Sequence, residues 1–312
     1  MPRQRRRLVH YGNRKKLAGY CSIMIIDLHI HSKASDGKLT VEEIFKEAKI
    51  RKINLMSITD HDSITCQTQA MAEARTKHIQ YLGGVELNVT FSHSKYHEGK
   101  AVSLDFLGYQ FDADNKELNT KLETMAKYRV ERASKILNNL NAEFRKENIA
   151  TLTDLDFRKI EDSVDGVLGR PHIADYLVKK NIVQSRQEAF DKYLVKCDVP
   201  KYTLFLEEAS KLIRGAGGKL VLAHPNDPHG TSLLALSKSL FDQTEIIQDK
   251  MLPYIDGVEC WHSRNSLETT NFYTAFAKKY GLIMTGGSDC HQKPILMGTV
   301  QIPDWVANQF MQ

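Results

Sequence analysis

One repeated pattern constrains the fold of this 312-residue chain more than any other feature. A short apolar run leads into acidic or histidine residues, and a segment with helical periodicity follows. The runs and their polar ends lie at 25–31, 54–62, 81–86, 219–224 and 282–291. Short apolar runs that alternate with helical segments are typical of β-α-β units, and parallel strands bring their carboxyl ends to one side. The pattern therefore predicts an α/β fold with a functional site at the strand ends.

The first run ends in two histidines, His29 and His31, which are separated by one residue. Side chains two positions apart on a strand point to the same face, so the two imidazoles would lie side by side. Neutral imidazoles placed in this way supply half of a typical zinc site. A half-buried strand that carries two histidines for no chemical reason explains these two residues equally well. The choice depends on partners elsewhere in the chain.

Further candidate ligands follow the first run. Asp36 lies in a polar turn, after which Thr40 and Glu43 have the spacing of a capping box that would begin a helix. Residues 101–109 form another apolar run, in which Asp105 is the one charged residue. A carboxylate buried there must be hydrogen-bonded, paired or bound to a metal, because an unpaired buried charge is costly. Asp105 is therefore a candidate ligand.

Residues 112–200 differ from the sequence on either side. Apolar residues recur at helical spacing among many charges, which predicts one long amphipathic helix or two. We expect a helical insertion at 112–200 between the two parts of an α/β domain at 24–111 and 201–312. The insertion carries Arg170 and His172 within a Gly-Arg-Pro-His sequence, and an arginine fork matches the geometry of a phosphate. An ordinary helix that begins at a proline explains these four residues equally well.

Composition bears on the class of protein and on its surroundings. No apolar run approaches the length of a membrane span, and the five cysteines are scattered, which predicts reduced thiols in a cytoplasmic protein. The net charge of +5 arises from seven basic residues before Met24, where no acidic residue occurs. Such a leader could bind nucleic acid or direct transport. We interpret 1–23 as a disordered or non-native extension and base no function on it.

The candidate metal ligands lie at or near the predicted strand ends, apart from Asp105 within its run. They are His29, His31, Asp36, His61, Glu86, Asp105, His224, Asp289 and His291. Histidine and carboxylate ligands without cysteine suit Mn, Fe or Zn, and this number of candidates predicts two or three divalent ions. Clustered ions lower the pKa of bound water and stabilise charge on a phosphate ester. Neither a G-x-S-x-G nucleophile motif nor a Walker loop occurs.

Five motifs together resemble the polymerase and histidinol phosphatase (PHP) family and occur in its order over about 23–302. They are DLHIHS at 27–32, TDHD at 59–62, GVE at 84–86, AHP at 223–225 and GSDCH at 287–291. Gly-Arg-Pro-His within a helical insertion further resembles the branch that acts on nucleoside 3′,5′-bisphosphates or trims short RNA from its 5′ end. The resemblance implies a distorted (β/α)7 barrel with a three-metal site.

The resemblance also implies a role for each candidate. One metal would have four ligands: His29, His31, Glu86 and Asp289. A second would have three: Asp36, His61 and His291. Glu86 would bridge to a third metal, completed by His224 and by a histidine before a Leu-Gly-Tyr sequence, where this chain has Asp105. The phosphates of the substrate would be bound by Arg170, His172 and His262. His262 could also donate a proton to the leaving group.

The sequence therefore predicts a metal-dependent phosphoesterase that acts through a metal-activated hydroxide. The expected substrate is a small phosphorylated nucleotide or a short RNA, and neither a membrane nor an obligate protein partner is expected. Two alternatives remain: a histidinol-phosphate phosphatase, which would use the same metals, and a non-catalytic metal-binding module of this family. The nearly complete ligand set disfavours the second alternative.

Overall fold

The computed structural model describes residues 24–310, and the extension predicted at 1–23 lies outside them. Strands and helices first alternate: β1 Ile25–Ile30, α1 Val41–Ile50, β2 Ile53–Ile58, α2 Gln67–Lys77, β3 Gln80–Tyr81, β4 Gly84–Phe91 and β5 Val102–Tyr109. A helical segment follows: α3 Lys116–Lys146, α4 Asp154–Glu161, α5 Arg170–Lys179 and α6 Arg186–Ala189. The alternation then resumes: α7 Leu206–Gly215, β6 Lys219–Leu222, α8 Leu240–Lys250, β7 Gly257–His262, α9 Leu267–Tyr280, β8 Ile283–Gly287 and α10 Trp305–Asn308.

Within residues 24–310 the strands form two sheets and no closed barrel. β1, β2 and β3 form a parallel three-stranded sheet, and β4 to β8 form a five-stranded sheet in chain order. β5 runs antiparallel to both β4 and β6, because the loop at 92–101 returns the chain without a crossover helix. The prediction of a mixed α/β fold is confirmed, whereas the distorted (β/α)7 barrel is not.

The two sheets adjoin at two places. Where β1 meets β8, the amide of His31 donates to the carbonyl of Cys290 at 3.1 Å. Where the segment after β2 meets β4, the amide of Asp62 donates to the carbonyl of Glu86 at 2.8 Å. The side chains at the carboxyl ends of β1, β2 and β8 are therefore brought together with Glu86 of β4. The prediction that Glu86 ends a strand is wrong, because β4 begins at Gly84 and continues to Phe91.

Helix α1 begins where the capping box predicts. The hydroxyl of Thr40 accepts a hydrogen bond from the amide of Glu43 at 3.2 Å, and the Glu43 carboxylate accepts one from the amide of Thr40 at 2.8 Å. An N-cap of this kind contributes about 0.5–2 kcal/mol. The buried face of α1, with Ile44 and Phe45, packs against residues of β1 and β2. The turn before α1, which carries Asp36, is held by backbone hydrogen bonds from Gly37 to Ser32 and from Lys38 to His291.

The amphipathic pattern after residue 112 forms one helix of 31 residues, α3. Its first half buries Leu118 and Leu122 in the apolar core of the five-stranded sheet. Its second half buries Ile136 and Leu140 in a separate apolar cluster with α4, α5 and α6. The middle of α3, with Arg129, thus lies between two cores and is free to line a cavity. No helix of the described chain is both long and apolar enough to cross a membrane.

Candidate active site

His29 and His31 meet two carboxylates in the interior. Their Nε2 atoms are 3.1 Å apart. The Oε2 atom of Glu86 lies 3.4 Å and 3.2 Å from these two nitrogens, and the Oδ1 atom of Asp289 lies 3.5 Å and 3.3 Å from them. All four side chains are buried. Nitrogen and oxygen lone pairs cannot converge so closely in a dry interior unless protons or a cation lie among them.

A second group adjoins the first at the ends of β1, β2 and β8. The Oδ1 atom of Asp36 lies 3.2 Å from Nε2 of His291, and Nδ1 of His61 lies 3.1 Å from Oε2 of Glu86. Asp36, His61 and His291, together with His31, offer ligand atoms that all lie within 4.8 Å of one another. The structure therefore brings this predicted set together.

Glu86 also reaches a third group. Its Oε1 atom lies 2.9 Å from Nε2 of His224, and Oδ2 of Asp105 lies 4.0 Å from the same nitrogen. Asp105 belongs to β5, where it pairs in register with Asn88 of β4. The side-chain Nδ2 of Asn88 donates to Oδ1 of Asp105, and the hydroxyl of Thr231 donates to Oδ2. Asp105 thus lies beside the predicted third position, but two neutral donors already hold it there.

The donor set fits divalent metal ions. Oε2 of Glu86, Oδ1 of Asp36 and Nδ1 of His31 are buried without a hydrogen-bond partner among the described residues. Histidine nitrogens and carboxylate oxygens are ligands of Mn, Fe and Zn, and a shared carboxylate such as Glu86 can bridge two ions. We call these residues the ligand cluster: His29, His31, Asp36, His61, Glu86, Asp105, His224, Asp289 and His291.

In the absence of metal, protons on the histidines balance the carboxylates. Burial opposes the charge of His31, but its close contacts with the carboxylates of Asp289 and Glu86 outweigh the effect of burial and raise the pKa of His31 to about 10. The same competition, with Glu86 as the main partner, raises the pKa of His224 to about 9. Burial alone would raise the pKa of Glu86, yet His61 and His29 hold it well below its usual range. The ligand cluster therefore favours bound positive charge, either as protons on its histidines or as metal ions.

Three carboxylates that support the cluster were not among the predicted site residues. Glu259 of β7 lies 3.0 Å from Nδ1 of His29 and accepts the amide of His224 at 2.7 Å. Asp60 accepts the amide and hydroxyl of Ser32 at 2.7 Å and 2.6 Å. Asp27 accepts the amides of Ser288 and Gly298, at 2.9 Å and 2.8 Å, and so joins β1 to the segment after β8. Carboxylates that hold metal-binding histidines commonly fix the ring orientation.

A cavity of about 440 Å³ opens over the ligand cluster. Four basic side chains, which we call the basic wall, line it from the inserted helices and the segment after them: Arg129, Arg132, Arg170 and Lys201. Arg170 was predicted from the sequence, whereas the other three were missed because single basic residues in charged helices give no distinct signal. Asp198 pairs with both Arg132 and Arg170. Lys201 has no ion pair in the described chain.

The two predicted histidines outside the ligand cluster lie in different settings. His172 lines the cavity, and its Nδ1 accepts the amide of Gly169 at 3.0 Å at the start of α5. Burial lowers the pKa of His172, so the imidazole tends to be neutral. His262 is buried with 3% exposure, does not line the cavity, and has Nε2 3.5 Å from Oδ2 of Asp289. This position is behind a predicted metal ligand and not at the cavity surface.

Arg264 is a further cavity residue that the sequence reasoning missed. It follows β7 directly, so the rule that polar residues at strand ends form the site could have found it. Its guanidinium contacts Asp227 and Asp289.

The arrangement agrees with what comparison with known proteins finds. Residues 27–194, more than half of the chain, match the PHP domain family. A 3′,5′-nucleoside bisphosphate phosphatase of Chromobacterium violaceum is 30% identical over 270 residues, which cover 85% of this chain and 87% of that protein. The 5′-3′ exoribonuclease Rnm of Escherichia coli is 29% identical over 278 residues, which cover 86% of both chains.

A solved structure gives the same picture. A candidate metal-dependent phosphoesterase from Bifidobacterium adolescentis superposes with a TM-score of 0.75 at 25% identity, and the match covers 92% of this chain and 95% of that one. The predicted PHP resemblance and the prediction of a phosphoric ester hydrolase are both confirmed.

Proposed function

Because this chain belongs to the PHP family and is a metal-dependent phosphoesterase, we propose that it removes a phosphate from a small nucleotide with two phosphate groups. A nucleoside 3′,5′-bisphosphate is the substrate that we favour, and a short oligoribonucleotide with a terminal phosphate is the larger variant. The names of the relatives from Chromobacterium violaceum and Escherichia coli support this substrate class.

One observation carries the proposal: the ligand cluster and the basic wall share a single cavity. The volume of about 440 Å³ is within the range typical of small-molecule sites. A phosphate at the ligand cluster would leave the rest of the nucleotide in the cavity, where the basic wall can bind a second phosphate. Arginine and lysine beside one another favour an anion strongly when water is partly excluded.

The reaction that we propose forms a bond between a water oxygen and phosphorus and breaks the ester P–O bond. Divalent ions, when bound, would supply Lewis-acid activation of water and stabilise charge on the phosphoryl oxygens. The basic wall would orient the substrate in line with the attack, and Glu259 would hold the ring of His29. The leaving oxygen takes a proton and departs as the nucleoside alcohol.

We propose two or three ions of Mn, Fe or Zn. His29, His31, Glu86 and Asp289 would hold the first. Asp36, His61 and His291 would hold the second. The third position would have Glu86, His224 and Asp105, and we expect it to bind most weakly because Asn88 and Thr231 already occupy the oxygens of Asp105. With oxygen donors in the majority, it should favour a hard ion such as Mn²⁺.

The predicted division of the chain remains part of this proposal. The unit formed by 24–111 and 201–312 would supply the ligand cluster, and the insertion at 112–200 would supply Arg129, Arg132, Arg170 and His172. The separate apolar cluster within 133–197 supports a distinct helical unit, while the first half of α3 packs in the core of the five-stranded sheet. His262 would support Asp289 and not donate the proton directly, since it does not line the cavity.

Histidinol phosphate is the alternative substrate, and the charge of the cavity disfavours it. Its leaving group carries an ammonium, which would meet the basic wall and be repelled. A bisphosphate places an anion at the same position.

The test compares four substrates with purified protein and Mn²⁺: a nucleoside 3′,5′-bisphosphate, the matching 3′-monophosphate, a short 5′-phosphorylated RNA and histidinol phosphate. We expect the bisphosphate to exceed the monophosphate in kcat/KM by about 10- to 100-fold, the gain of one charge-assisted contact. Equal or faster turnover of histidinol phosphate would contradict the proposed substrate, and no turnover of any phosphoester would contradict the reaction.

A further inference from the structure

Arg264 forms ion pairs with two carboxylates, Asp227 and Asp289, beside the ligand cluster. Its Nε donates to Oδ1 of Asp227 at 2.8 Å and its Nη2 to Oδ2 of Asp227 at 2.6 Å, which forms a two-point fork. Nη2 also contacts Oδ2 of Asp289 at 2.6 Å, while the other oxygen of Asp289 faces His29 and His31. Asp227 is buried at 1% exposure. The guanidinium is therefore fixed against a residue of the ligand cluster.

The third nitrogen of the guanidinium is not used by the protein. Nη1 of Arg264 donates to no residue in 24–310, although the side chain is 34% exposed and lines the cavity. A planar fork that is anchored on one edge can present its remaining donors to a phosphate without losing side-chain entropy on binding. Arg170 differs, because Nη1 of Arg170 is already engaged by Asp198.

We propose that Arg264 donates hydrogen bonds to the phosphoryl group that is hydrolysed, and that Asp227 is the residue that positions it. This inference rests on the proposed phosphoesterase site. Water oxygen bonds to phosphorus, the electron pair of the breaking P–O bond goes to the leaving oxygen, and that oxygen takes a proton from solvent. Arg264 transfers no proton. It stabilises the non-bridging oxygens as charge shifts among them.

A structural role would leave a different signature. If Arg264 only neutralised Asp227 and Asp289, its replacement would change metal binding and folding but not the affinity of metal-loaded protein for phosphate. The cluster of Asp227, His262 and Asp289 has the spacing of a further cation site. Arg264 already supplies the positive charge there, so we assign no ion to it.

The experiment uses the metal-loaded full chain and three variants: Arg264→Met, Arg264→Lys and Asp227→Asn. Inorganic phosphate is the probe, its dissociation constant is measured by calorimetry, and metal content and thermal unfolding are measured on the same samples. We expect the dissociation constant for phosphate to rise about 10- to 100-fold in Arg264→Met at unchanged metal content, the usual cost of one charged donor. Arg264→Lys keeps the charge but loses the fork, so we expect a rise of about tenfold.

Asp227→Asn should weaken phosphate binding in the same direction but less than Arg264→Met, and kcat should fall more than KM rises. Lys135→Met is the matched control, because Lys135 is an exposed residue of α3 that does not line the cavity. If Arg264→Met does not fold, Arg264→Lys decides the question. Phosphate affinity equal to that of the wild type in the variants that fold, at equal metal content, would overturn the inference.

The proposed function is tested separately in the same samples. Wild-type turnover of the nucleotide substrates supports it whatever Arg264 does. If phosphate binding depends on Arg264 but the protein hydrolyses no phosphoester, the proposed function is contradicted and the inference about Arg264 is not.

Discussion

The ligand cluster and the basic wall face the same cavity but come from different kinds of element, mostly strands for the first and mostly helices for the second. Most of the ligand cluster comes from the carboxyl ends of strands, with Glu86 near the start of β4, Asp105 at the middle of β5 and Asp36 in a turn, and backbone pairing and buried carboxylates hold it. The basic wall comes from α3, α5 and the segment after the inserted helices, and its arginines pair with the carboxylates of Asp62 and Asp198. We infer that the first region sets the reaction and the second sets the substrate. The predictions below separate these two roles.

The largest effect should come from the ligand cluster. We expect His31→Ala to lower kcat by on the order of 10³-fold or more, since the electrostatic stabilisation of the transition state depends on the bound ions. The variant should remain folded in circular dichroism and should bind less metal by elemental analysis. A variant with less than about a tenfold loss would show that the cluster is not the reaction centre.

A supporting residue should have the next largest effect. Glu259→Gln removes the carboxylate that holds His29 and accepts the amide of His224. We expect metal affinity to fall by about 10- to 100-fold, as is usual when such a partner is lost. Titration with Mn²⁺ followed by electron paramagnetic resonance measures this, and excess Mn²⁺ should restore most of the activity. Unchanged affinity would mean that Glu259 has only a packing role.

A smaller effect is expected at the third position of the ligand cluster. Asp105→His replaces an oxygen donor with a nitrogen donor, which should shift the preference of the most weakly bound ion from Mn²⁺ toward Zn²⁺. Metal content after reconstitution in a mixture of both ions measures this preference. An identical metal ratio in the variant and the wild type would show that Asp105 is not a ligand.

The smallest expected effect is on the stability of the metal-free protein as the pH changes. The pKa values of His31 and His224, about 10 and about 9 when folded, exceed the value near 6.5 of the unfolded chain. Their ion pairs therefore stabilise the fold fully below pH 6.5, and this contribution is lost as the pH rises through 9 and 10.

We expect the Tm of metal-free protein to fall over that pH range and Mn²⁺ to reduce the fall, because metal needs the neutral imidazoles. Metal-free His31→Ala is the control and should show a shallower decline. A Tm that stays constant up to pH 10 in metal-free wild type would contradict the charge balance described for the cluster.

The difference between the ligand cluster and the basic wall also explains how much of the site could be predicted from the sequence. Strand ends are visible as apolar runs followed by polar residues, so His29, His31 and Asp289 could be identified from sequence. Glu86 was identified as the end of a run at 81–86, but it lies near the start of β4. Arg264 lies just past the end of β7 and follows the same rule, whereas Glu259 lies within β7 and gives no strand-end signal. Arg129 and Lys201 could not be found, since their convergence depends on how α3 crosses between two cores. The antiparallel direction of β5 depends on the loop at 92–101, so the arrangement in two sheets in place of the predicted barrel could not be predicted either.

One measurement tests most directly the claim that the ligand cluster and the basic wall act on one substrate. Lys201 lines the cavity and has no ion pair within residues 24–310, so Lys201→Met leaves no carboxylate of this part unpaired. Burial lowers the pKa of Lys201, and a bound phosphate would favour its charged form. The quantity to measure is the ratio of kcat/KM for a nucleoside 3′,5′-bisphosphate to that for the 3′-monophosphate. We predict that this ratio falls about tenfold in Lys201→Met, through the bisphosphate alone, and is unchanged in Lys135→Met. A ratio equal to that of the wild type, or an equal loss on both substrates, would contradict the account.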